Sequence, residues 1–127
     1  MELVSIVIFM ALIEYLVFGG FVGKARVTYD IPAPATTGNE IFERYFRVHQ
    51  NTLESLIVFI PAIIGFATYV HNEVAAILGV GFIIGRVLYF RGYVKNPKSR
   101  AAGSAIGGLS LVILLLGGLI GAVIAYL

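Results

Sequence analysis

The chain contains no cysteine and no tryptophan, and only 13% of its residues are charged. Without cysteine there is no disulfide, no thiolate metal site and no thiol nucleophile belonging to the protein itself. The shortage of charge excludes more. A soluble domain carries about a quarter charged residues, so this chain lacks the polar surface to cover a water-facing globule. Its two histidines, His49 and His71, do not make a metal site by themselves, and no metal is expected. The net charge of +2 is too small to argue for nucleic acid, and no nucleic-acid-binding motif accompanies it.

What is present is apolar. Hydrophobic residues make up 59% of the 127, with a mean hydropathy of +0.95. A helix needs about 20 apolar residues to cross a bilayer, so four crossings with short loops consume nearly the whole chain. The expectation is an all-α, integral membrane four-helix bundle forming one domain over residues 1–127. The opening MELVSIVIFMALIEYLVFGG has no basic flank and carries Glu2, so it reads as a first spanning helix and not as a cleaved signal peptide.

The first apolar run extends from Leu3 to Val22, interrupted only by Glu14, and charge returns at Gly23-Lys24-Ala25-Arg26. Asp30 to Gly38 is rich in proline, threonine and glycine and reads as a loop. Asn39 is suited to cap a second helix over Glu40 to Val70, with Glu40 and Glu43 in its first turn and a kink expected at Pro61. A polar turn at His71-Asn72-Glu73 leads to a third helix ending near Val94. Lys95 to Arg100 makes the next turn, and Ala101 to Leu127 is an uncharged fourth helix.

All nine basic residues fall in or near the first and third loops of this arrangement. The termini and the His71 turn share the other side and hold none. By the positive-inside rule the first and third loops are cytoplasmic, with both termini opposite. Glycine recurs in small-xxx-small pairs, Gly19/Gly23, Gly81/Gly85, Gly103/Gly107 and Gly117/Gly121. Such pairs let helix backbones approach closely in lipid, within one subunit or between subunits. Four short helices alone enclose little room for a site, which favours an oligomer.

Ionisable groups inside a spanning helix cost roughly 2.5–3.5 kcal/mol each at its centre, so they need a partner or a purpose. The second helix carries Glu43, Arg47, Asn51 and Glu54 at spacings of four, four and three, one stripe of a helix. The third carries Arg86, Tyr89 and Tyr93 at spacings of three and four. At about 1.5 Å per residue, Glu54 and Arg86 lie roughly 25 Å and 20 Å from the His71 turn, close enough in depth to meet. A plain structural account would pair Glu54 with Arg86 and Glu43 with Arg47. Against it, Arg26, Arg47, Arg86 and Arg100 converge on an end that offers mainly Glu43 and Glu54. An arginine surplus at a half-buried site favours an anionic guest, because guanidinium matches carboxylate bidentately. The residues themselves lead as far as a small zwitterion with an extra carboxylate.

The stretch FERYFRVHQNTLE, from Phe42 to Glu54, resembles the signature of the MAPEG family, membrane-associated proteins of eicosanoid and glutathione metabolism. That signature is approximately F-E-R-x-[FY]-R-A-Q-x-N-x-x-E. GRVLYFRGY, from Gly85 to Tyr93, is similar to the family's second motif, and VGKAR at Val22–Arg26 and the TTG of Thr36–Gly38 also match. The resemblance spans all four helices and is greatest to the branch of microsomal glutathione S-transferases and leukotriene C synthase.

The resemblance implies a homotrimer of four-helix subunits with glutathione, as co-substrate, held at each subunit interface. Position by position it implies that Arg26, Arg47, Asn51, Glu54, Arg86, Tyr89 and Tyr93 contact glutathione, and that Arg100 stabilises its thiolate as the catalytic residue. His49 stands where the family usually has glutamine and is a further candidate contact. Ser55 replaces a common tyrosine, and Val27 replaces an arginine proposed as a base in leukotriene C synthase. The expected activity is a membrane glutathione transferase acting on lipophilic electrophiles, with glutathione peroxidase activity on lipid hydroperoxides as a second capacity and detoxification as its setting. The rival within the family is a non-catalytic lipid-binding or scaffold protein. A transporter would use similar intramembrane charges, but these gather at one end and form no path across.

Overall fold

The computed structural model describes all 127 residues and is wholly helical. Four long helices, α1 (Glu2–Tyr29), α2 (Glu40–Tyr69), α3 (Asn72–Lys95) and α4 (Ala101–Tyr126), are joined by one loop, one tight turn and a 3-10 turn at Pro97–Arg100. All four are long and apolar enough to cross a membrane.

The first helix runs past its apolar stretch and the return of charge, up to the loop expected from Asp30. Charge returns at Lys24, but Lys24, Ala25 and Arg26 are good helix formers, and charge alone does not stop a helix. What stops it is Asp30, in the left-handed region at φ 56°, followed by Pro32. The backbone N–H groups of Asp30 and Ile31 both donate to the carbonyl of Arg26 and close the last turn. The second helix starts as the sequence indicates. The Asn39 side-chain oxygen accepts from the N–H groups of Ile41 and Phe42, at 2.9 and 3.0 Å. It then continues past Pro61 to Tyr69. His71 caps α3 through Nδ1, which accepts from the Val74 N–H, so two residues suffice to turn the chain.

Only 28 residues are buried, while large aliphatic side chains such as Leu16, Ile57, Ile77 and Ile124 face outward. That distribution suits lipid as the surrounding solvent. Between α1, α2 and α3 the core is Val4, Val7, Phe59, Ile63 and Phe82, with the Phe59 and Phe82 rings stacked at 4.1 Å. Against α4 the helices touch backbone to backbone. A Cβ added at Gly103 would collide with the backbone of Tyr89, and one at Gly85 with the backbone of Gly107. Three of the four glycine pairs therefore pack within the chain. The fourth is split, since Gly19 lies against His49 while Gly23 meets nothing.

Candidate functional site

The α1–α2 loop, the first turns of α2, the last turn of α3 and Pro97 enclose a groove of about 390 Å³. Its lining is polar: Thr36 and Thr37 from the loop, Glu43 and Arg47 from α2, Tyr93 from α3. Local bonds hold each wall. Arg26 donates from Nη1 to the carbonyls of Ile31 (3.1 Å) and Ala35 (2.7 Å), and its guanidinium sits 5.0 Å over the Phe42 ring. Arg26 thus pins the loop against α2. Arg44 pairs with Glu40 at 2.9 Å and donates to the carbonyls of Val94 and Lys95, tying α2 to the end of α3. Glu43 accepts from the Gly38 N–H at 3.3 Å. Arg47 lines the groove as an exposed cation, and the one ion pair among these groups is Arg44 with Glu40.

Behind the groove stands a second layer. Tyr93 stacks on Tyr89, with centroids 5.6 Å apart. The Tyr89 hydroxyl accepts from the Asn51 side-chain amide at 2.8 Å. Arg86 lies 4.3 Å from the centroid of the Tyr89 ring and donates from Nη2 to Thr52 Oγ1 at 2.8 Å. Thr52 passes its own hydrogen to the Val48 carbonyl at 2.7 Å. Asn51, Arg86, Tyr89 and Tyr93 are therefore joined into one constellation reaching from the bundle to the groove, which Arg47 also lines.

Other expected members lie elsewhere. Glu54 does not meet Arg86. It is exposed on the outer face of α2, whereas Arg86 is buried against Thr52. Two residues along a helix are about 200° around it, so Thr52 facing inward requires Glu54 to face out. The paired reading of Glu43 with Arg47 also fails, since the partner of Glu43 is the Gly38 N–H. His49 stacks on Tyr15 of α1 at 4.3 Å, away from the groove. Arg100 is exposed and lines a different groove, of about 570 Å³, with Lys98, Ser104 and Ala105; Pro97 forms a wall of both. Thr52 was not singled out from sequence. Its signal was the need of a buried arginine for an acceptor at matching depth.

Fold and groove together define a membrane-embedded helical protein with a cation-bearing pocket at one end of its bundle. The MAPEG family model matches residues 4–120, and the chain belongs to this family. It is 47% identical over 111 residues to an uncharacterized protein of Synechocystis, covering 87% of this chain and 81% of that protein. It is 40% identical over 99 residues to human microsomal glutathione S-transferase 2, covering 77% of this chain and 67% of that protein. Rat leukotriene C4 synthase is 31% identical over 77 residues, 61% of this chain but only about half (51%) of that protein's length.

Proposed function

We propose that this protein is a membrane glutathione transferase that conjugates glutathione to lipophilic electrophiles. The observation that carries the reading is the groove in which Arg47 and Tyr93 stand before the Tyr89–Asn51–Arg86 constellation. Relatives named as a glutathione S-transferase and as leukotriene C4 synthase support it. Arg47 receives a glutathione carboxylate, for which the fork of a guanidinium is suited. Glu54 receives the ammonium. Asn51, Tyr89 and Tyr93 orient the peptide, and Arg26 holds the loop closed over it.

The chemistry needs an ionised sulfur. A thiol of pKa about 8.5 is only a few per cent ionised at pH 7, and each unit of lowering corresponds to about 1.4 kcal/mol. A cysteine-free protein borrows its nucleophile from the substrate, and Arg100 supplies the positive charge beside it. The thiolate then forms a carbon–sulfur bond with the electrophile, which releases a leaving group or takes up a proton. With a hydroperoxide the same site gives a second reaction: two thiols lose two electrons and two protons, and the oxygen–oxygen bond yields alcohol and water. Assay of the purified protein with glutathione and a panel of electrophiles and hydroperoxides tests both. Glutathione binding without turnover of any of them points instead to a lipid-binding or scaffold role.

Glu54 and Arg100 open outward, away from the Arg47 groove. A site completed between subunits gathers them, and we propose a homotrimer with glutathione at each interface. Arg47→Ala and Arg100→Ala should each be nearly inactive alone. Co-expressed, they should regain part of the activity, because every mixed ring contains one interface with both arginines intact. Co-assembled variants that stay inactive would place both groups in one subunit.

A further inference from the structure

Glu14 is the chain's one buried acid, and the proposed glutathione site makes no use of it. It lies about 18 Å along α1, and Arg86 lies about 21 Å along α3, which starts from the same end of the bundle, so the two share one depth. Both Glu14 carboxylate oxygens are shut off from solvent without a hydrogen-bond partner, and so is Nε of Arg86. The two side chains make no direct ion pair, yet the stacking of Phe18 on Phe90 at 4.6 Å, one turn further along α1 and α3, sets them side by side, each in the field of the other's charge. In a low-dielectric interior such a field is stronger than in water, and an isolated charge there is costly. Arg86 is otherwise held on two sides only, by Thr52 Oγ1 and by the face of the Tyr89 ring.

We propose that Glu14 is a positioning residue for the groove. From α1 its carboxylate keeps the Arg86 guanidinium over Tyr89 and against Thr52. That in turn sets the Tyr89 hydroxyl toward Asn51 and the Tyr89 ring against Tyr93, which lines the groove. Glu14 touches no ligand. It acts through Arg86 across some two layers of side chains, and this inference rests on the reading of the groove as a glutathione site.

The test separates the two. In detergent micelles, the Nε–H resonance of Arg86 is followed by NMR in the parent, in Glu14→Gln and in Glu14→Asp. Glutamine keeps the shape without the charge, and aspartate keeps the charge. The Arg86 signal should move in Glu14→Gln and stay near the parent in Glu14→Asp, with the signals of Arg47 and Arg100 unmoved in both. An unmoved Arg86 signal in Glu14→Gln, or equal shifts in both variants, overturns the proposal whether or not glutathione binds. Should Glu14→Gln fail to fold, a displaced Arg86 signal in Glu14→Asp overturns it and an undisplaced one supports it. Calorimetry with glutathione then reads the consequence: Glu14→Gln should weaken binding about fivefold, and Glu14→Gln combined with Arg86→Met should bind no more weakly than Arg86→Met alone. Additive losses would mean that Glu14 does not act through Arg86. A parent that binds no glutathione sinks the functional reading and leaves the NMR result to decide this one.

Discussion

Thr52 and Glu54 face opposite ways on α2, and that opposition decides which charges the bundle satisfies internally and which it leaves unpaired. Glu54 and Arg47 lack an internal ion pair, so in the proposed site both are free for the zwitterionic ligand. Glu54→Gln and Arg47→Ala should each weaken glutathione binding at least tenfold by calorimetry, since charge-assisted hydrogen bonds contribute roughly 1.5–3 kcal/mol. Unchanged affinity in both would remove them from the site. In the proposed reaction Arg100 has a different task. Arg100→Ala should lower turnover more than affinity and raise the bound thiol's pKa by one or two units, about 1.4–2.7 kcal/mol, seen as lost thiolate absorbance. Lys98 lines the same groove and serves as the control. Equal behaviour of Lys98→Ala and Arg100→Ala would reduce Arg100 to an ordinary loop cation. The stripe of Arg47 and Asn51 was readable from spacing, as was that of Arg86, Tyr89 and Tyr93. The partner of Arg86 was not. Spacing tells which residues share a face of one helix, but not which faces of two helices meet, so it cannot choose between Glu54 and Thr52.

Helix ends follow from local chemistry, and those of α2, α3 and α4 were legible within a residue or two: Asn39, His71 and the Pro97 turn all sit where the chain reverses. The end of α1 is legible as well: the helix runs through the return of charge at Lys24 and stops at Asp30, where the proline-rich loop begins. Helix pairing is where glycine decides. The α3–α4 contact brings backbone onto backbone at Gly85 and Gly103, with no flexible side chain to yield. Gly85→Ala and Gly103→Ala should each destabilise the fold by about 1–3 kcal/mol, as overpacking does. Gly20 is the comparison, since a Cβ there meets nothing within 4 Å. Gly20→Ala should be neutral or slightly stabilising, by up to about 1 kcal/mol from helix propensity. Thermal unfolding in detergent reads the difference, and equal melting temperatures for Gly20→Ala and Gly85→Ala would mean the α3–α4 crossing is not close-packed.

At the scale of the molecule, the helix order places the α1–α2 loop and the Pro97 turn at one end of the bundle, with the α2–α3 turn and both termini at the other. Every lysine and arginine belongs to the first end or to the helix turns leading into it, and all nine stand on one side of the count. Such a bias orients a membrane protein with its basic loops in the cytoplasm. The groove, with Arg47 and Tyr93, would then open to the cytoplasm, where a water-soluble peptide reaches it directly while an apolar co-substrate arrives through lipid. The absence of cysteine makes the orientation measurable with single introduced thiols. Lys98 and Glu73 are both exposed and lie at opposite ends. In intact cells a membrane-impermeant maleimide should label Glu73→Cys and leave Lys98→Cys unlabelled until the membrane is opened. Labelling of Lys98→Cys alone would invert the orientation and turn the groove away from the cytoplasm. Labelling of both from outside would mean that α3 does not cross, and the four-crossing arrangement would fall with it.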